Sequence, residues 1–370
     1  MQEPDPAVTP IDPALPVKVG QVLAERFEVR GAIGSGGHGH VLLAEHLPLR
    51  YPVAVKLLDP SMAMSEAHRE RFRREAILGA AVKSANVARV LEAGETPDGH
   101  PFLVMELVDG PSLRDVLERG PLPIEAAVDL GIQLASALVA FDAQQLVHRD
   151  VKPSNVVLQW EPDGRVVAKL VDLGVTRVSS AEARAERVSD ADMVVGTPLY
   201  MAPEQVEGAA HDIRSDLYSL SVLLYEALTG RPPHAGVTPA AVLGKALHGE
   251  RPDLRALRGE VPETLAKVVD KGLSVEVSDR WQSPLELAEA LERVCAEHRM
   301  ARAASAWEEL PARQSWENTE ATDTPLGLLD GDVDPFETHG TVVRRRVTRW
   351  VVLAGLLVVC ALSVASLFVE

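Results

Sequence analysis

The sequence predicts an α+β protein of two lobes, a small strand-rich one followed by a larger helical one, with a further hydrophobic helix toward the C-terminus. Three observations lead there. Short apolar runs of strand type fill residues 26–108, and longer runs of helical period fill 110–298. The two periods meet at Asp109-Gly110-Pro111, a cluster of turn residues that marks the lobe boundary. An uncharged stretch, Val351 to Val369, is long enough at about 1.5 Å per residue to cross a hydrocarbon core of ~30 Å.

The totals narrow the field. A length of 370 residues allows about two domains, and 46% hydrophobic with 25% charged residues is globular composition. A net charge of −17 argues against a nucleic-acid binder, which would carry a basic face. Small anions are not excluded, because a local lysine or helix end can hold phosphate in an acidic protein. Cys295 and Cys360 are too far apart for a disulfide framework or a zinc spacing, so a reducing compartment is the simpler reading. The first residues show no charged segment followed by an apolar one, so no secretory signal is expected.

In chain order, residues 1–20 hold five prolines and no apolar period and are expected to be a disordered leader. From Arg26 the pattern alternates, and it contains Gly34-Ser35-Gly36-Gly37-His38-Gly39-His40-Val41. Glycines let a backbone approach phosphates that a Cβ would obstruct. Read alone, the same stretch is also a flexible hairpin, because Val41 onward continues as a strand instead of opening a helix. His38 and His40 have no further ligands nearby to hold a metal.

The next strand, Tyr51 to Leu58, carries Lys56 within an apolar run, and a buried ammonium needs an anionic partner. Glu75 offers one, from a helical segment between about Ser65 and Val82. An ordinary surface lysine and a solvated glutamate would leave the same trace in these two segments taken alone.

A helical run from Pro123 to Leu146 leads into His148-Arg149-Asp150-Val151-Lys152-Pro153-Ser154-Asn155, too dense a polar cluster for an ordinary turn. Two strands follow, Val156 to Trp160 and Val166 to Val171, joined by Glu161-Pro162-Asp163-Gly164. An antiparallel hairpin returns the chain to its start, so Asp172 should lie beside Asn155. A carboxylate and an amide oxygen together are hard ligands suited to Mg²⁺.

Residues 172–204 read as a long functional loop ending in Gly196-Thr197-Pro198-Leu199-Tyr200-Met201-Ala202-Pro203-Glu204. A buried helix through Asp216 to Tyr225 comes next, and Ser283-Pro284-Leu285-Glu286 caps a last helix running to about His298. Residues 299–349 read as an acidic linker that ends in a basic juxtamembrane segment, Arg344 to Arg349. With Trp350 at the interface, residues 350–369 form the expected single span, and the arginines place the preceding chain on the cytoplasmic side.

In this order and at these spacings the motifs resemble the eukaryotic-type serine/threonine protein kinases, over roughly Arg26 to His298, and among them the bacterial membrane-anchored subfamily. The resemblance implies a bilobal kinase-like fold and transfer of the ATP γ-phosphate to Ser/Thr hydroxyls of protein substrates. It implies that Gly34, Gly36 and Gly39 cover the phosphates, and that Lys56, held by Glu75, binds the α- and β-phosphates. Val41, Ala54 and Val157 would enclose the adenine, Met105 would stand behind it, and Glu106 and Val108 would offer backbone hydrogen bonds. Asn155 and Asp172 would hold Mg²⁺, with Mn²⁺ as a substitute. Asp150 would take or orient the acceptor hydroxyl, and Lys152 would neutralise the moving phosphoryl group.

By the same resemblance Asp216 braces the catalytic loop, Glu204 pairs with Arg280, and Thr197 on the substrate side favours Ser/Thr acceptors. Arg149 implies control by an anion on the activation loop, with Ser189 as the expected autophosphorylation site. A homodimer is a further implication. The chain departs from the family pattern at Leu173, His38, Ser84-Ala85 and Ser221, none of which removes a reacting group. The alternative is a nucleotide-binding pseudokinase scaffold at the membrane, which predicts loss of Lys56, Asp150, Asn155 or Asp172. All four are present.

Overall fold

The structure, a computed structural model, describes residues 9–36, 39–172, 176–177, 198–209, 212–236, 238–300 and 307, all within one compact unit. Six strands form an antiparallel sheet: β1 (Val22–Leu23), β2 (Phe27–Gly36), β3 (Gly39–His46), β4 (Tyr51–Leu58), β5 (Val90–Glu95) and β6 (Pro101–Glu106), in the order β1-β2-β3-β4-β6-β5. Helices α1 (Pro60–Ala63) and α2 (Glu66–Ala81) lie between β4 and β5 in sequence.

Strand β4 is buried from Val53 to Leu58 because both of its faces are covered. Val53, Val55 and Leu57 join Phe27, Leu42 and Phe102 on one side, and Ala54 and Leu58 join Phe72, Ala76 and Met105 on the other. The two-residue period of a strand puts Lys56 on the second face, toward α2.

Residues 1–8 of the expected disordered leader lie outside the described residues; from Thr9 onward it is ordered against the sheet. Thr9 and Ala32 exchange backbone hydrogen bonds of 2.9 and 3.0 Å, and Leu15 and Val17 are buried in the same core as Phe27 and Val53. The Gly20 N–H also donates to the Val29 carbonyl at 2.8 Å, while the prolines, which cannot donate, leave the stretch between without a regular ladder. Ile11, Leu15 and Val17 supply apolar anchors instead.

The helical lobe begins with α3 (Leu113–Leu117) and α4 (Ile124–Asp142), followed by the short β7 (Leu146–Val147), the hairpin β8 (Val156–Trp160) and β9 (Val166–Leu170), and β10 (Thr176–Arg177), which pairs with β7. Then come α5 (Pro203–Val206), α6 (Ile213–Thr229), α7 (Pro239–His248), α8 (Leu254–Leu257), α9 (Glu263–Gly272) and α10 (Pro284–Glu297). Helix α6 is buried on almost every face; Asp212 caps its start and Gly230, in the left-handed region at φ 76°, ends it.

Helix α4 packs against α6 and α10. A Cβ on Gly131 would stand 2.9 Å from Leu291 and 3.0 Å from Leu224, so this glycine sets how closely the three helices approach. Helix α4 is also long and apolar enough to cross a membrane, yet it is mostly buried in the lobe and is its core helix. The expected span at 350–369 lies outside the described residues, as does the linker after Met300 except for Trp307. Trp307 is 2% exposed and packs into the helical core, so the chain is still fastened to the lobe beyond α10.

Candidate active site

The glycine hairpin is built by β2 and β3, with Gly34 opposite Val41 and Gly36 opposite Gly39. Gly39 has φ 144°, and a Cβ there would lie 2.1 Å from the Leu57 carbonyl oxygen, so only glycine fits. The register then aligns Val41 with Lys56, and Ala54 with Met105 on β6. Ala54 and Met105 are buried in one cluster, with Val41 and Leu107 packed against it. Val157 is half-buried on β8, where it bridges Ser112 just past the lobe boundary. Glu106 turns its side chain to Lys169, and Val108 is half-buried in the connecting segment.

Lys56 is 8% exposed and forms an ion pair with Asp172. Burial alone would lower its pKa; the carboxylates of Asp172, Glu75 and Asp150 outweigh burial and hold it above the ordinary value. The expected direct pair between Lys56 and Glu75 is not formed in this structure. Glu75 instead accepts from Arg71 Nε at 3.3 Å, one helical turn away. A single ammonium stands between two carboxylates, and Arg71 gives the second one a local partner. Burial pushes the Glu75 carboxyl up, against the pull of Lys56 and Arg71. Lys56, Phe72, Glu75, Met105, Val171 and Asp172 line one recess under the sheet.

The polar octapeptide follows β7 and is fixed from below by Asp216 of α6. Its Oδ2 accepts from the His148 N–H at 2.6 Å and its Oδ1 from the Arg149 N–H at 2.8 Å. Arg149 has φ 70°, a left-handed conformation that costs a non-glycine residue energy and needs such support. Burial drives the Asp216 carboxyl up to about 7, opposed by those two N–H groups. His148 is fully buried, lies edge-on to Phe141 and accepts from the Asp150 N–H at 3.3 Å, while burial pushes its imidazole down.

Asp150 is held by two donors. Lys152 Nζ lies 2.8 Å from its Oδ2, and Asn155 Nδ2 donates to the same oxygen at 2.8 Å and to the Asp150 carbonyl at 2.9 Å. Asn155 thereby turns its NH₂ toward Asp150, and among the described residues its Oδ1 has a long 3.5 Å contact from Ser154. The hairpin pairs Val156 with Leu170, and the Val171 N–H donates to the Asn155 carbonyl at 3.0 Å. Asp172 is therefore next to Asn155, across the hairpin ends.

Below this, Glu204 and Arg280 form a bidentate buried pair at 2.8 and 2.7 Å, and Ser215 donates to Glu204 at 2.6 Å. Arg280 also stacks over Tyr218. Tyr200 donates to the buried Glu226 of α6, a contact the sequence reading missed because nothing in an apolar helical run marks one carboxylate as a receptor. Leu173, Gly174, Ser189 and Thr197 lie outside the described residues, as do the side chains beside Gly36 at the hairpin tip.

Compared with known proteins, residues 27–293 match the family described as Protein kinase domain. The chain is 41% identical over 277 residues to serine/threonine-protein kinase pkn2 of Myxococcus xanthus, covering 73% of this chain and 32% of that protein. It is 35% identical over 278 residues to PknB of Mycolicibacterium smegmatis, covering 74% and 44% respectively. The chain thus spans less than half of the length of each of these relatives. Among solved structures, the kinase domain of Mycobacterium tuberculosis PknI aligns with a TM-score of 0.58 at 27% identity, over 75% of this chain and 99% of that one.

Proposed function

We propose that this chain, which belongs to the protein kinase domain family, is an active serine/threonine kinase that moves the γ-phosphate of ATP to hydroxyls of protein substrates. The observation that carries the reading is the convergence on Asp150: Lys152 and Asn155 both reach its carboxylate, and the hairpin brings Asp172 alongside.

In this account Asp150 receives or orients the acceptor hydroxyl, in a position fixed by Asn155. Lys152, which pairs with the same carboxylate, would balance charge on the transferring group. Lys56 binds the α- and β-phosphates, with Gly34, Gly36 and Gly39 above them, and Val41, Ala54, Met105, Glu106, Val108 and Val157 around the base. Among the described residues no group of three His, Cys, Asp or Glu forms a metal site by itself, so a cation would rest on Asn155 Oδ1, Asp172 and the nucleotide's own oxygens. That all-oxygen set fits Mg²⁺, with Mn²⁺ as a substitute, and the ion supplies neutralisation of phosphate charge.

Because Lys56 is engaged by Asp172 in this structure, nucleotide loading requires it to exchange that partner for phosphate and for Glu75. Arg149 would answer to an anion on the loop that contains Ser189 and Thr197. The arginines from Arg344 and the run to Val369 would anchor the chain in the cytoplasmic membrane as a single pass, and pairing into a homodimer is part of the same reading. With Lys56, Asp150, Asn155 and Asp172 all in place, no observation favours the pseudokinase scaffold.

Two measurements test this. Phosphoamino-acid analysis after incubation with Mg-ATP should find phosphoserine or phosphothreonine, and exclusive phosphotyrosine would refute the acceptor class. Deleting residues 351–370 should release the protein from membranes, and continued sedimentation with them would refute the anchor.

A further inference from the structure

Helix α4 is an apolar core helix with a carboxylate inside it. Asp129 is 5% exposed, and a buried carboxylate must be met by donors. Gln133 Nε2 supplies one at 2.8 Å, and Trp307 Nε1 supplies another at 3.1 Å. Trp307 lies beyond the family match, which ends at residue 293, and on the chain that leads to the arginines and the apolar run. An indole suits such a dock: its ring packs into the core while its N–H satisfies the buried acceptor.

Gln133 continues the connection, and its amide is fully used. Nε2 donates to Asp129 and to the Val166 carbonyl at 3.0 Å; Oε1 accepts from the Ala168 N–H at 2.9 Å and from Asn86 Nδ2 at 3.0 Å. Asn86 in turn donates to the Ala168 carbonyl and accepts from the Leu170 N–H, both at 2.9 Å. Strand β9 is therefore clamped by Gln133 and Asn86 just before it delivers Asp172. Asn86 also sits a few residues past α2, the helix that carries Glu75. Rotating the Gln133 amide by half a turn would set like groups against each other at all four contacts, so the amide has one bonded orientation and transmits any shift of Asp129 to the strand it holds.

We propose that Trp307 docks the segment beyond the kinase domain onto the helical lobe, and that this dock is coupled through Asp129, Gln133 and Asn86 to strand β9 and thus to Asp172. Docking keeps the Gln133 amide in the orientation that clamps β9. Undocking removes one donor from Asp129, lets that carboxylate and the Gln133 side chain bonded to it shift, and so loosens the strand. Trp307 is a positioning residue; the effect on catalysis rests on the kinase reading above, whereas the effect on β9 does not.

The test uses the full chain with Trp307→Phe, which keeps a ring and loses the N–H, and Asp129→Asn as a second, conservative variant. Hydrogen exchange of the Ala168 and Leu170 amides reads the clamp, and kcat/KM for Mg-ATP reads its consequence. The expected result is about tenfold faster exchange at both amides and a fall in kcat/KM of about threefold or more in each variant. Adding Asn86→Ala to Trp307→Phe should produce little further change, the mark of one shared path. Wild-type exchange at β9 in folded variants, or additive effects in the cycle, would overturn the coupling. If the wild-type chain transfers no phosphate, the kinase reading fails and the exchange measurement still decides this proposal.

Discussion

Asn155 Nδ2 donates to both the carboxylate and the backbone carbonyl of Asp150, at 2.8 and 2.9 Å, so one side-chain amide fixes the rotamer of the carboxylate and the turn that bears it. Replacing it by aspartate would set a carboxylate against a carboxylate. Asn155→Asp should therefore lower the phosphoryl-transfer rate by about 10²-fold or more while the protein stays folded. Single-turnover kinetics together with a thermal melt would check this, and a variant within a few-fold of wild type would show that Asp150 does not depend on this contact.

Glu226 gives a pH prediction. Burial raises its carboxyl from 4.5 to about 7, against the hydrogen bond from Tyr200 and the charge of Arg114. The folded state then binds more protons than the unfolded state between those two values, so this group costs stability as pH rises from about 4.5 to about 7. Glu226→Gln keeps an acceptor for Tyr200 and cannot ionise. Relative to wild type it should gain stability with rising pH, approaching roughly 3 kcal/mol above pH 7. Denaturant melts from pH 5 to 8 would show it, and a difference independent of pH would contradict the assignment.

The leader gives a prediction that separates packing from disorder. Leu15 and Val17 are buried at 6% and 1% exposure, and truncating buried aliphatic side chains to alanine costs about 2–4 kcal/mol. The Leu15→Ala/Val17→Ala double variant should melt several degrees lower. A free leader would leave the melting temperature unchanged.

The sheet, the two central helices and the hairpin were legible in the sequence because each repeats a period long enough to read: β4 spans Tyr51–Leu58 and the last helix runs Pro284–Glu297 behind its Ser283 cap. The adjacency of Asn155 and Asp172 was legible as well, since it needs only a turn and an antiparallel return. The partners of Lys56 were not. Two carboxylates compete for that ammonium, and the choice depends on where α2 stands relative to the hairpin, which no local pattern encodes. The leader misled because its prolines outnumber its anchors, although Ile11, Leu15 and Val17 were there to be read. Trp307 was hidden inside a polar, turn-rich stretch, and its acceptor Asp129 lies far earlier in the chain.

The most direct test of the account is autophosphorylation of the full chain by Mg-ATP in wild type and Asp150→Asn, with nucleotide binding measured in parallel by calorimetry. The substitution leaves Lys56, Asn155 and Asp172 in place and removes the carboxylate on which Lys152 and Asn155 converge. The account predicts that nucleotide affinity stays within a few-fold and phosphoryl transfer falls by about 10²–10⁴-fold. Equal transfer by the two proteins would contradict it.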